Sequence, residues 1–129
     1  MRRVCICGKH RRGLVGGQVL VGRAKGVERP PLAPLIPTEN GCSLLIDCGA
    51  NVDARPSQLV QFARMGSIYM ENVMGVKNPT VAIVNIGVEE EKGNALVKET
   101  YPMLKECKDI NFIGSIEARD IPAGKADVV

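Results

Sequence analysis

Apolar and polar positions along this chain switch between two periods, and the switching marks out alternating strands and helices. Val81-Ala82-Ile83-Val84-Asn85-Ile86-Gly87 is a nearly continuous β-branched run, which predicts a buried strand over residues 79–87. Ser43-Leu44-Leu45-Ile46-Asp47, bounded by Gly41 and Gly49, predicts a second central strand, and Asn111-Phe112-Ile113-Gly114 a third. Ala126-Asp127-Val128-Val129 begins a further one. Between them the period changes to that of a helix. Pro56 suits a first helical position, and Leu59, Phe62, Ala63, Gly66, Tyr69 and Val73 recur at helical spacing up to a stop at Gly75. Leu96, Thr100 and Leu104 mark another helix, which Pro102 should kink. Upstream, residues 13–26 predict a glycine-tolerant helix with a basic last turn and Gly26 as its stop. The prolines of residues 29–37 exclude a central strand there and leave an extended edge segment or a structured connection. Strands alternating with helices imply right-handed crossovers and a parallel sheet.

The composition agrees with one domain. The chain has 129 residues, 45% of them hydrophobic and 24% charged, but only 3% are aromatic and none is Trp. A core of Val, Ile, Leu, Met and Ala fits a buried parallel sheet and disfavours base stacking on single-stranded nucleic acid. The net charge of +3 is misleading, because residues 1–12 hold five basic residues and no acid, so the remainder is slightly acidic. Nucleic acid is therefore not an expected partner. No apolar run is long enough to span a membrane or to form a signal-peptide core, and five irregularly spaced cysteines fit reduced thiols, so a cytoplasmic location is expected.

The chemistry gathers where strands run out. The strand over 79–87 empties into Val88-Glu89-Glu90-Glu91-Lys92-Gly93-Asn94. In parallel α/β sheets ligands sit beyond the carboxyl ends of strands. A lysine near a helix start is a natural point charge for phosphate, whereas on its own it is a surface lysine; the three glutamates fit the first turn of a helix. Asp47-Cys48-Gly49-Ala50-Asn51-Val52-Asp53 leaves its strand in the same way, with Gly49 allowing close backbone approach. Asn51 and Asp53 there either bind substrate or satisfy turn and cap geometry. It lacks the second glycine and the Lys-Ser/Thr pair of a Walker phosphate loop. Glu117-Ala118-Arg119-Asp120 is a third charged strand end, in which an arginine between acids ordinarily shapes a turn. Cys5-x-Cys7-x-x-His10 is half of a metal site without its other half, so neither metal nor cofactor is expected.

Taken together and in order, these segments resemble bacterial phosphate acyltransferases of the PlsX family. The resemblance runs almost continuously over residues 19–129 and lies in Val21-Gly22-Arg23-Ala24-Lys25-Gly26-Val27, Leu44-Leu45-Ile46-Asp47 with Gly49-Ala50-Asn51-Val52-Asp53, Gln61-Phe62-Ala63 with Met65-Gly66-Ser67, Asn85-Ile86-Gly87 with Lys92-Gly93-Asn94, and Asn111-Phe112-Ile113-Gly114 with Glu117-Ala118-Arg119-Asp120. It implies a three-layer α/β/α fold with a mainly parallel sheet, akin to phosphotransacetylases and isocitrate-dehydrogenase-like enzymes, here as a partial domain over residues 13–129. The implied reaction moves a fatty acyl chain from acyl carrier protein to inorganic phosphate, giving acyl phosphate for phospholipid synthesis. The implied site has Lys92 positioning phosphate or the developing oxyanion. Asp47, Asn51, Asn85 and Asn94 would be hydrogen-bonding wall residues, with Gly49, Gly87 and Gly93 giving backbone access. The family further implies a homodimer with peripheral membrane contact. It has a small polar residue where Val88 stands and a glutamate at Ala95.

Residues 1–12 fall outside the resemblance. One codon choice for Val4–Arg12, read one base later, encodes Phe-Val-Ser-Ala-Gly-Asn-Thr-Gly, which the family carries before its glycine-rich helix. A frameshift would make the cysteine pair, the single histidine and the basic arm artefacts of reading. Two readings from other classes stand beside the acyltransferase. One is a small phosphate- or nucleotide-binding α/β module without chemistry; the other is a nucleic-acid binder resting wholly on residues 1–12.

Overall fold

The β-branched runs do form strands, and they assemble into a sheet covered by two helices. The computed structural model describes residues 22–129, with elements β1 (Leu35–Thr38), β2 (Gly41–Leu44), α1 (Pro56–Asn72), β3 (Thr80–Asn85), α2 (Ala95–Glu106) and β4 (Asn111–Glu117), the last followed by a 3-10 turn at Ala118–Asp120. β1 and β2 pair antiparallel from Leu35 opposite Leu44 to Thr38 opposite Gly41. β3 and β4 pair parallel from Thr80 opposite Asn111 to Asn85 opposite Glu117. Ile113 is the extra residue of a bulge in that ladder, and Gly114 beside it takes φ +102°, a conformation that favours glycine.

The end of the chain joins the two halves. Val128 bridges in parallel to Leu44 on one side and to Val81 on the other. Leu44 N–H donates to the Asp127 carbonyl at 2.8 Å, Val129 N–H to Leu44 at 2.9 Å and Ala82 N–H to Val128 at 2.9 Å. Asp127 fixes the start of this segment, because its carboxylate accepts from both the Thr80 backbone N–H and the Thr80 hydroxyl at 2.7 Å. The spatial order is therefore β1, β2, residues 127–129, β3, β4, an α/β sheet that is parallel except at β1. The segment predicted to begin a strand at Ala126–Val129 is central, bridging to both sides through Val128.

Both helices owe their position to burial. In α1 the buried stripe is Val60, Ala63, Gly66, Ser67 and Met70, with Phe62 also enclosed. Together with Leu44, Val81, Leu104, Ile110 and Val128 it builds the main core, and each large apolar side chain there contributes roughly 1.5–3 kcal/mol of transfer free energy. Gly66 sits at the tightest point, since a Cβ there would lie 2.5 Å from the Val128 side chain. α2 starts at an Asn94 cap, whose side chain accepts from Val97 N–H at 3.0 Å, and runs through Pro102 to Glu106. On the opposite face of the sheet, Ala82, Ile116, Ala126 and Val129 form a second apolar cluster with Leu45, Val84 and Ile121.

Several expectations need correction. Tyr69 and Val73 do not belong to the buried stripe of α1, being 39% and 62% exposed, because the stripe passes through Met70. Of the helix expected over residues 13–26, only 22–26 lie in the described range, and these are not helical. Gly22 and Gly26 both take positive φ, +84° and +89°, and Val27 N–H closes a tight turn on Ala24. The third strand runs three residues past Gly114, so Glu117 is its last residue and not part of the loop. The Pro-rich stretch contributes the antiparallel β1, as an edge segment should. Cys42, Cys48 and Cys107 are free thiols, while Cys5, Cys7 and His10 lie outside the described residues.

Candidate functional site

Because β2, residues 127–129, β3 and β4 all run parallel, their carboxyl ends share one edge of the sheet, where ligands bind in folds of this kind. The Asp47 turn, the 86–94 loop and the 117–120 turn all leave the sheet there.

The Asp47 turn is held by its own carboxylate. Oδ1 accepts from Leu32 N–H at 2.7 Å and Ala50 N–H at 3.3 Å, while Oδ2 accepts from Asn51 N–H at 2.7 Å and Asn51 Nδ2 at 3.0 Å. Asn51 Nδ2 also reaches the Pro30 carbonyl at 3.4 Å. An aspartate wrapped by backbone N–H groups ties the strand exit to the Pro-rich segment, and Gly49 takes φ +77° within the turn. Asp47 and Asn51 are thus brought together and turned inward. Asp53 does not cap α1; Arg55 holds that position, and its N–H donates to Gln58 Oε1 at 3.0 Å.

The 86–94 loop is built differently. Asn85 is buried, donating from Nδ2 to the Lys92 carbonyl at 2.8 Å and accepting at Oδ1 from Ile86 N–H at 2.8 Å, so one side chain closes both ends of the loop. Gly93 takes φ +111°, and a Cβ there would meet Asn85 Oδ1 at 2.5 Å, so the same contact requires glycine. Gly87 lies under the Lys92 side chain. The charged tips point outward. Lys92 Nζ is 3.1 Å from Glu89 Oε2, with both side chains more than half exposed. Glu90 pairs with Lys105 of α2 at 2.8 Å. Glu89 is held below the usual carboxylate range by its own backbone N–H and then by Lys92; Glu90 is held there by Lys105. The Tyr101 hydroxyl is pushed up by burial and by Glu90.

At the third strand end, Arg119 pairs with Glu117 at 2.9 Å. Asp120 accepts from Glu117 N–H at 3.1 Å and pairs with Lys125 at 2.7 Å, so its carboxyl is lowered chiefly by Lys125. These charges shape a turn, the ordinary reading of an arginine between acids.

Lys92, Asn85, Gly87, Gly93 and Asn94 therefore form one unit at the start of α2, while Asp47, Gly49 and Asn51 form another across the strand at 127–129. The Glu89–Lys92 pair and the Glu90–Lys105 brace add to the residues that the sequence points to. The three-residue spacing of Glu89 and Lys92 was the available signal for the first; nothing local signals the second.

A family model for "fatty acid synthesis protein" matches residues 3–129. Among curated relatives, the phosphate acyltransferase of Clostridium novyi (strain NT) is 57% identical over 116 residues, covering 90% of this chain and 35% of that protein. The phosphate acyltransferase of Clostridium perfringens (strain SM101 / Type A) is 60% identical over 116 residues, covering 90% of this chain and 34% of its own length. That of Bacillus licheniformis (strain ATCC 14580) is 55% identical over 117 residues, with 90% and 35% covered. The chain thus spans about a third of the length of the curated relatives it matches. With the family model covering nearly all of its residues, this chain belongs to the fatty acid synthesis protein family.

Proposed function

We propose that this chain supplies the phosphate-handling wall of an acyltransferase that moves a fatty acyl group from acyl carrier protein to inorganic phosphate, giving acyl phosphate for phospholipid synthesis. The observation that carries this reading is the 55–60% identity to proteins named phosphate acyltransferase across both glycine-bearing loops. In the reaction a phosphate oxygen attacks the thioester carbonyl carbon and negative charge gathers on the carbonyl oxygen. The carbon–sulfur bond then breaks and the thiol leaves with a proton. The site must hold an anion and stabilise the developing oxyanion. Lys92 supplies a mobile positive charge, and the first turn of α2 supplies backbone N–H groups beside it. Asn85 and Gly93 fix the loop, Gly87 lets the lysine stem lie close, and Asn94 caps the helix. Asp47 and Asn51 hold the facing turn, so that Gly49 presents backbone to the site.

A three-layer α/β/α architecture belongs to the same proposal. Two helices cover one face of the sheet, and the second apolar cluster on the other face suits a further helical layer. No helix of the described residues is long and apolar enough to cross a membrane.

The test is acyl phosphate formation from an acyl carrier protein thioester by a protein carrying this stretch at the full length of its relatives. Lys92→Ala is expected to lower turnover by about a hundredfold or more, as removal of a charge-stabilising group does, with Lys92→Arg recovering part of it. Unchanged turnover in Lys92→Ala refutes the role of the lysine. Phosphate binding without turnover by the unsubstituted protein refutes the acyltransferase and leaves a binding module.

A further inference from the structure

The 86–94 loop is pinned at two points, and the second has no part in closing its base. Asn85 holds the two ends together, whereas the tip is a turn of its own. Lys92 N–H donates to the Glu89 carbonyl at 3.2 Å, so Glu89 and Lys92 are the first and last residues of a four-residue turn with Glu90 and Glu91 at its corner. The Glu89 and Lys92 side chains meet over Gly87, where a Cβ would lie 2.7 Å from Lys92 Cδ and 2.8 Å from Glu89 Oε2. The corner decides where that pair stands. Glu90 reaches out of the loop to Lys105 Nζ at 2.8 Å, fifteen residues on and in the last turn of α2. The contact holds Glu90 below the usual carboxylate range and raises Lys105. Lys105 follows Tyr101 by four residues, so both lie on one face of the helix. The Tyr101 ring packs edge-on against Phe112 of β4 with centroids 5.3 Å apart, and its hydroxyl lies where a Cβ on Gly114 would come within 3.2 Å. The loop tip is thereby tied through α2 to the neighbouring strand. Glu91, the other corner residue, forms no ion pair among the described residues.

We propose that Glu90 is a positioning residue, whose pair with Lys105 holds the turn corner against α2 and so keeps the Lys92 ammonium over Gly87 at the carboxyl edge of the sheet. Both partners are more than half exposed, so the pair adds little to global stability. What it restricts is one turn of backbone. An anion that needs Lys92 in place binds more weakly by the fraction of time the lysine spends elsewhere. The sign of the effect separates this role from simple charge. Glu90 is an acid beside an anion site, so by Coulomb repulsion alone its neutralisation strengthens phosphate binding, whereas loss of positioning weakens it. That Lys92 receives phosphate rests on the acyltransferase reading; that Glu90 orders the turn does not. On that reading two neighbouring glutamates act oppositely, Glu89 competing for the ammonium and Glu90 aiming it.

The experiment compares Glu90→Gln, Lys105→Met and the double variant with Glu91→Gln, which removes the same charge from the same corner without touching the pair. Amide order parameters of this chain are read by NMR at Lys92, and at Val128, whose N–H bonds to the Thr80 carbonyl in the sheet, as reference. Glu90→Gln and Lys105→Met are each expected to lower the Lys92 value from near the roughly 0.85 of rigid backbone towards about 0.6. The double variant should fall no further, because both changes break one contact. Glu91→Gln should match the parent at Lys92, and Val128 should not move in any variant. In a protein carrying this stretch at the full length of its relatives, Glu90→Gln is expected to lower kcat/KM for phosphate about threefold, and Glu91→Gln not to lower it. An unchanged Lys92 order parameter in Glu90→Gln overturns the proposal. So does a kcat/KM for phosphate that is unchanged or rises in Glu90→Gln, since that leaves Glu90 as a charge only. If the unsubstituted protein turns over no acyl carrier protein thioester, the acyltransferase reading fails, and the order parameters alone still decide whether Glu90 holds the turn.

Discussion

The Asp47 turn and the 86–94 loop look alike in sequence, each an apolar strand passing into glycine, asparagine and charge, yet they use their charges in opposite ways. In the first, four donors converge on one carboxylate, and the charge is consumed in holding the backbone. In the second, a neutral side chain, Asn85, holds the backbone, and the charges of Lys92 and Glu89 stand at the surface. A strand-end loop can present a reactive charge only if another group closes the loop. The contrast predicts large stability effects and small direct catalytic effects on one side of the strand at 127–129, and the reverse at the tips on the other side.

The largest effect is expected for Asp47→Ala. It strands the Leu32, Ala50 and Asn51 N–H groups in a half-buried turn, and urea unfolding should show a loss of about 3 kcal/mol. Asp47→Asn keeps one acceptor oxygen and should fall between that variant and the parent. Unchanged stability in Asp47→Ala together with lost turnover would reverse the comparison and make Asp47 a reactive group. Next comes Gly93→Ala. It forces a side chain into φ +111° and against Asn85 Oδ1, so it should destabilise by about 2 kcal/mol through backbone strain and the displaced asparagine. A loss well under that amount would show that the loop is not closed by Asn85. Asn94→Ala removes the α2 cap and should lose about 1 kcal/mol in the same measurement, with Asn94→Asp close to the parent.

Much of this arrangement was legible in the sequence wherever the cause is local. The apolar run at Val81–Asn85 forms a strand and Pro56 opens α1 as expected, whereas Asn94, expected as a wall residue, caps α2, and the three glutamates expected in a first helical turn lie in the loop before it. What was missed depends on groups far apart along the chain. Leu32 reaches Asp47 from fifteen residues away, across the β1–β2 hairpin, so the inward turn of that carboxylate could not be read from the residues around it. Ala126–Val129 reads as a strand from its composition, but its place between β2 and β3 is a property of the crossovers. A glycine at 26 is a usual helix stop, but residues 22–26 are not helical, with Gly22 and Gly26 both at positive φ. Tyr69 was assigned to the core over Met70 by spacing alone, and the pair differ by one position on the helix face.

The smallest structural effect, and the most diagnostic functional one, is expected at Glu89. Its carboxylate sits 3.1 Å from Lys92 Nζ, so under the proposed function an arriving phosphate would compete with it for the same ammonium group. The pair is exposed, and losing it should leave Tm within scatter. Glu89→Gln should nonetheless lower the apparent KM for phosphate, by about threefold at low ionic strength, and the difference should shrink as salt screens the charges. The pH dependence has a definite sign. Because the folded protein holds Glu89 below the usual carboxylate range, the acid stays ionised throughout neutral pH and competes there. Its ion-pair contribution is present above the ordinary glutamate pKa and is lost as pH falls through the lowered one. Glu89→Gln should therefore improve phosphate affinity at pH 7, and the advantage should fade on acidification. An unchanged KM at pH 7, with Lys92→Ala still inactive, would mean that Lys92 acts on the carbonyl oxygen and not on phosphate, since only a competing anion feels the glutamate leave.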